Sequence, residues 1–174
     1  YHEAGHALLA HLLPHADRLE KVTVLPRGRT LGVTAQVPDE ERVNYGESWL
    51  RDRITVLSGG PLAETIVYGE VRRGAENGRE QATRLARRLA ARGGMGERVG
   101  PMALAQGQER AFLGREMTQL REHSEASAGL LDEEIRRLLT ELEHRGRQLL
   151  EQHRPELDRL AEALAVRETL EGEE

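Results

Sequence analysis

The apolar positions change period several times along the chain, and each change marks an element. Residues 2–13 carry Ala4, Ala7, Leu8, Leu9, Leu12 and Leu13 at helical spacing and run into Pro14, which predicts an amphipathic helix stopped there. From Lys21 to Val37 the spacing shortens. Val22, Val24, Leu31, Val33 and Val37 flank Pro26-Arg27-Gly28-Arg29, a turn-forming stretch, and together they predict a β-hairpin. Helical spacing returns from about Tyr45 to Tyr68, where Gly59-Gly60-Pro61 predicts a bend or a break between two helices. Val71 to Gly78 reads as a loop and Glu80 to Arg92 as a helix capped by Gly93-Gly94.

After an irregular stretch through Gly114, Ser124 to His153 predicts a long helix. Its stripe of Leu131, Ile135, Leu138, Leu142 and Leu149 has one gap, at Arg145-Gly146. Fewer than three clean heptads favour packing inside a bundle over a free coiled coil. Pro155 suits the first turn of a last helix through about Val166, followed by a loose acidic tail. The expected fold class is therefore mainly α, a helical bundle with one small β-hairpin. Its expected division is 1–115, holding the hairpin and the first helix, and 116–174, a C-terminal helical part.

Composition narrows the function. With 3% aromatics the core must be built from Leu, Ala, Val and Ile, and 174 residues suffice for one domain or two small subdomains. A net charge of -5 argues against a general nucleic-acid binder. The cations Arg84, Arg87, Arg88 and Arg92 gather towards a helix C-terminus, where the macrodipole favours them without any phosphate partner. Lys21 is the only lysine among 25 basic residues, a bias shared by GC-rich genomes and heat-adapted proteins. Cysteine is absent, which excludes disulfides and thiolate metal sites. No apolar run approaches the roughly 20 residues of a membrane span. Tyr1 begins the chain without an initiator Met and the first helix starts without a cap, so a fragment of a longer polypeptide is expected.

The most specific chemistry lies at the start, where His2, Glu3 and His6 form HEAGH. On a helix, histidines four residues apart project from one face and can share a zinc ion. Glu3, one step round from His2, can reach a water on that ion as general base, the arrangement of zinc peptidases. Zinc brings the pKa of bound water down to about 7. Two histidines on a helix also occur as solvated or capping residues. Against that stand the small Ala4, Gly5 and Ala7, which let another segment approach closely enough to complete a metal site. A catalytic zinc needs a third protein ligand and one open position.

Several segments together carry a family resemblance: YHEAGHALLA, KVTVLPRGRTLGVT, LSGGPLAETIVYGEV, GAENGREQATRLARRL, GPMAL and FLGRE. The chain resembles, over essentially its whole length, the peptidase domain of the FtsH family of membrane-anchored, ATP-dependent AAA+ zinc proteases. The resemblance implies a zinc metalloendopeptidase with His2 and His6 as zinc ligands and Glu3 as catalytic base. It implies that Thr30, Leu31, Gly32, Val33 and Thr34 form an edge on which an unfolded substrate chain adds as a strand, so that side-chain identity is read little. It further implies a homo-hexameric ring below an ATPase ring that uses ATP, a membrane anchor in an N-terminal segment, and a cytoplasmic position for this domain. Neither the ATPase nor the anchor is in this sequence. One position departs from the pattern. The family's third zinc ligand is an aspartate, and Gly78 stands in its place.

Three carboxylates are candidates to fill the gap: Glu64, at a place the family also fills with Glu, and Glu76 and Glu80 on either side of Gly78. Glu64 is favoured, either as a replacement ligand or as the group that orients a histidine through its N–H. Gly78 leaves two further readings open, an inactive paralogue retained as an oligomerisation module or a change in this copy alone. An intact HEAGH argues for a site in use or recently lost.

Overall fold

The computed structural model describes residues 1–25, 32–37, 46–70, 75–92 and 125–172. Five helices and three short strands follow in the order α1 (His2–Leu12), β1 (Arg18–Thr23), β2 (Val33–Val37), α2 (Glu47–Tyr68), α3 (Ala75–Arg92), α4 (Glu125–Gln152), α5 (Arg154–Arg167) and β3 (Thr169–Glu171). This is the mainly helical bundle with a small sheet that the hydrophobic pattern predicts. Helix α1 ends at Leu12 because Leu13, which precedes Pro14, is held in an extended conformation. The Pro26–Arg29 turn, the Gly93-Gly94 cap and the stretch through Gly114, with GPMAL and FLGRE, lie outside the described residues.

Four expectations need correction. Helix α2 runs unbroken through Gly59-Gly60-Pro61. Its two glycines are buried against α1 rather than exposed in a turn. An alanine at Gly5 would meet the Gly59 carbonyl oxygen at 2.3 Å, and one at Gly59 would meet the Gly5 oxygen at 2.6 Å. The backbones of the two helices therefore touch, and Gly-Gly serves packing. Helix α3 begins at Ala75, so Gly78 lies in its first turn and not in a loop.

The gap in the α4 stripe is filled by Gly146 itself, which continues the four-residue steps from Leu142 to Leu150. A Cβ at Gly146 would meet Leu62 at 3.0 Å and Thr55 at 3.2 Å, so its bare backbone lets α4 lie on α2. Leu150 rather than Leu149 is the fully buried residue of that turn. The tail after Val166 is not loose as far as Gly172. Strand β3 pairs antiparallel with β1, Val22 opposite Leu170, and gives a sheet of order β2-β1-β3.

Two apolar cores share α2 and α4. One joins α1, β1, α5 and β3 to the C-terminal half of α2 and the end of α4. The other joins α3 to the N-terminal half of α2 and to α4 through Leu50, Ile54, Leu89, Leu138 and Leu142. On α3 the buried residues are Ala82, Ala86, Leu89 and Ala90, with Arg84 and Arg88 exposed on the opposite face. Where the cores meet, Asp52 is buried and accepts hydrogen bonds from Arg145 of α4 at 2.7 Å and from the His15 backbone N–H at 3.0 Å. Those bonds fix the exit of α1 against α2 and α4, and so fix the face on which His2 and His6 stand. No described helix is long and apolar enough to cross a membrane.

Candidate metal centre

His2 and His6 stand one turn apart on α1, and their Nε2 atoms face each other at 3.2 Å. Both rings are oriented from behind by acceptors. His6 Nδ1 lies 2.7 Å from the Val56 carbonyl oxygen, and His2 Nδ1 lies 3.3 Å from Glu64 Oε1. A carbonyl and a carboxylate both require a proton on the nitrogen they contact, which places the ring protons on Nδ1 and leaves lone pairs on both Nε2 atoms. The Gly60 N–H also approaches His6 Nδ1, at 3.3 Å, but the shorter contact with Val56 governs the tautomer. Two lone pairs facing one another repel unless a cation stands between them.

Gly60 supplies the space for one. A Cβ at this position would lie 2.5 Å from His2 Nε2 and 2.6 Å from His6 Nε2, so a side chain here would fill the cleft between the rings. Two nitrogens bound to a tetrahedral zinc at about 2.0–2.1 Å stand roughly 3.3 Å apart, which the observed separation matches. The two histidines thus fit a zinc ion as a pair. Among the described residues no third His, Asp or Glu joins them closely enough to complete a ligand set.

Burial, followed by the neighbouring His2 ring, pushes the pKa of His6 down to about 4. The Val56 hydrogen bond opposes that shift and the nearby Arg53 guanidinium adds to it. His6 is therefore a neutral imidazole, the form that binds metal, at any pH near 7.

Glu3 projects towards the sheet. Thr34 Oγ1 of β2 donates to Glu3 Oε2 at 2.8 Å, and Gly32 presents bare backbone beside the same carboxylate. Of the residues expected to form a substrate edge, Val33 and Thr34 begin β2, an outer strand of the sheet, and Gly32 immediately precedes it. Thr30 and Leu31 lie outside the described residues.

Glu64 is buried, and it meets the nitrogen of His2 that faces away from His6. Glu80 is exposed and faces Arg84 at 4.0 Å, while the side chain of Glu76 is outside the description. Gly78 packs on α2, where a Cβ would lie 3.2 Å from the Leu57 carbonyl oxygen. Leu57 stands between Val56 and Gly60 in sequence, so Gly78 abuts the turn of α2 that shapes the cleft. The match to the family model for peptidase family M41 runs over residues 1–174. The chain belongs to peptidase family M41.

Three curated relatives carry the name of a zinc metalloprotease. A protein of Marinobacter nauticus named ATP-dependent zinc metalloprotease FtsH is 49% identical over 174 residues, which is all of this chain and 28% of the relative. A protein of the same name from Nitrosococcus oceani is 48% identical over 170 residues, 98% of this chain and 27% of the relative. The ATP-dependent zinc metalloprotease FtsH 3 of Symbiobacterium thermophilum is 45% identical over 174 residues, again all of this chain and 28% of the relative. The chain thus spans little more than a quarter of the length of these relatives.

The sequence singles out His2, His6, Glu3 and Glu64, of which the structure brings His2, His6 and Glu64 into contact and turns Glu3 to Thr34. It does not single out Val56 and Gly60, which contribute a backbone carbonyl and the absence of a side chain. The one available signal was the pair Gly59-Gly60 inside an otherwise helical pattern, where glycine reports a close approach as well as a turn.

Proposed function

We propose that this chain is the zinc metalloendopeptidase domain of an ATP-dependent FtsH-type protease that degrades unfolded or membrane polypeptides. The observation that carries the reading is the facing pair of Nε2 lone pairs over the Gly60 cleft, with Glu3 the next residue round the helix from His2. His2 and His6 would hold the metal, and Glu64 would orient His2 through Nδ1–H. Zinc held there supplies a Lewis acid that polarises a scissile carbonyl and acidifies water. Glu3 takes a proton from the attacking water and delivers it to the leaving amine nitrogen. Gly32 leaves room beside Oε1, the carboxylate oxygen that Thr34 does not engage. The outer strand β2, beginning with Val33 and Thr34 and with Thr30, Leu31 and Gly32 before it, would receive the substrate as an added strand. By the same likeness the domain works in a homo-hexamer below an ATP-consuming ring, in a parent protein anchored to a membrane with this part in the cytoplasm.

The test is Glu3→Gln in the zinc-loaded parent protein. The reading expects zinc content to stay at the wild-type level and cleavage of unfolded casein to fall by a factor of at least about 100. Retention of wild-type cleavage would show that Glu3 is not the base.

One observation favours a second reading. Gly78 abuts the α2 turn that shapes the cleft and offers no side chain to a metal, and on that reading the chain would be an impaired peptidase that serves as an oligomerisation module. Zinc well below one equivalent after mild dialysis, with no casein cleavage, would support that reading over the first.

A further inference from the structure

We propose that Thr34 is a positioning residue for the base, tying the Glu3 carboxylate to the strand on which substrate is to pair. The inference rests on the reading of Glu3 as general base and goes beyond it. Thr34 lies opposite Val22 in the β1–β2 ladder. Val22 is buried in the core that contains α1, and opposed residues share a sheet face, so the Thr34 side chain is directed at α1. There its hydroxyl donates to Glu3 Oε2 at 2.8 Å and also lies 3.4 Å from the Glu3 carbonyl oxygen.

Two residues earlier the strand shows the same face again. At that point stands Gly32, where a Cβ would meet Glu3 Cγ and Oε1 at 2.8 Å and the Thr23 carbonyl oxygen at 2.8 Å. Gly32, just ahead of β2, and Thr34 within it therefore offer, in succession, bare backbone and a hydroxyl, and the Glu3 side chain lies along both. Glutamate has three rotatable side-chain bonds, and on an open helix face nothing would hold its carboxylate at one point. The Thr34 bond removes that freedom and does so from the strand itself. A polypeptide paired to β2 is thereby placed in a fixed relation to the base, and a shift of about 1 Å in such a relation is enough for a hundredfold loss of rate.

Thr34→Val keeps the β-branched shape and deletes the donor, while Thr34→Ser keeps the donor. Crystal structures of both variants, zinc-loaded, are compared with the wild type, and kcat and KM are measured on an unstructured peptide. The expected result is a Glu3 carboxylate displaced in Thr34→Val and retained in Thr34→Ser. Zinc content is unchanged in both variants. The valine variant loses kcat by about 10- to 100-fold with KM within about twofold, and serine restores most of it. A carboxylate that stays in place in Thr34→Val, or a kcat equal in the two variants, overturns the proposal. In a wild type without turnover the crystallographic comparison decides alone. Glu3→Gln separates the two claims: unchanged cleavage there refutes the base, whereas the carboxylate position in Thr34→Val still decides what Thr34 does.

Discussion

Replacing Gly60 by alanine tests whether the cleft between the two imidazoles is a built feature. The added Cβ would stand 2.5 Å from His2 Nε2 and 2.6 Å from His6 Nε2, where ordinary contact begins at 3.4 Å. Each ring must therefore retreat by about 1 Å in a close-packed surrounding. Neither ring is free to do so cheaply. His6 is held at 2.7 Å by the Val56 carbonyl and His2 at 3.3 Å by Glu64, so retreat breaks the contacts that set the tautomers. Moving α2 away instead would open the close Gly5–Gly59 contact and the apolar core that α1 and α2 share.

Overpacking of this kind costs about 1–3 kcal/mol, and loss of the groups that orient a metal-binding histidine lowers metal affinity by about 10- to 100-fold. The assay is zinc titration against a chromophoric chelator, together with urea unfolding of the metal-free protein. Gly129→Ala is the control. Gly129 is exposed on α4 with nothing within 4 Å of a Cβ, and the change should leave zinc binding alone and stabilise by about 0.5–1 kcal/mol. A Gly60→Ala protein that bound zinc within twofold of the wild type would refute the reasoning.

Two further outcomes follow from the site. The folded pKa of His6, about 4, lies below the ordinary value of 6.5, so between those limits the unfolded chain binds the extra proton. Stability of the metal-free protein should then rise with pH from about 4 to 6.5 and fall as pH drops through that window. The His6 contribution is about 3 kcal/mol, and His6→Asn should lose that part of the slope in urea unfolding at pH 5 and pH 7. Gly78→Asp should tighten zinc by at least about tenfold in chelator competition, since it adds a carboxylate beside the α2 turn that shapes the cleft, in a first helical turn where the dipole favours an anion. Unchanged affinity would place the third ligand elsewhere or show that the 3.2 Å approach to the Leu57 carbonyl excludes the side chain.

Much of the fold was legible because periodicity reports burial directly. The stripe of Leu131, Ile135, Leu138 and Leu142, and Val22 on β1, lie buried where the pattern puts them. The misreadings at glycines share one cause, which is that glycine has two uses. At Gly59, Gly60 and Gly146 it admits a neighbouring helix, and from sequence alone this looks the same as glycine in a turn. Strand β3 was missed because Thr169-Leu170-Glu171 is too short to show a period, and its place depends on β1, nearly 150 residues away, for hydrogen-bond partners.

The site divides along the same line. His2, Glu3 and His6 carry their chemistry in residue type and spacing, and the motif names them. The Val56 carbonyl, the void at Gly60 and the direction of the Thr34 hydroxyl depend on how α1, α2 and β2 meet, and no residue type announces them. Glu64 was in view from the start, but only its approach to Nδ1 rather than Nε2 of His2 separates an orienting group from a ligand.

The account depends on both opening imidazoles binding one zinc ion through Nε2. X-ray absorption at the zinc edge of the metal-loaded protein measures this most directly. The prediction is a first shell with two imidazole nitrogens at about 2.0–2.1 Å, reduced to one in His2→Ala and in His6→Ala. A spectrum with no imidazole scattering, or one unchanged by either substitution, would contradict it.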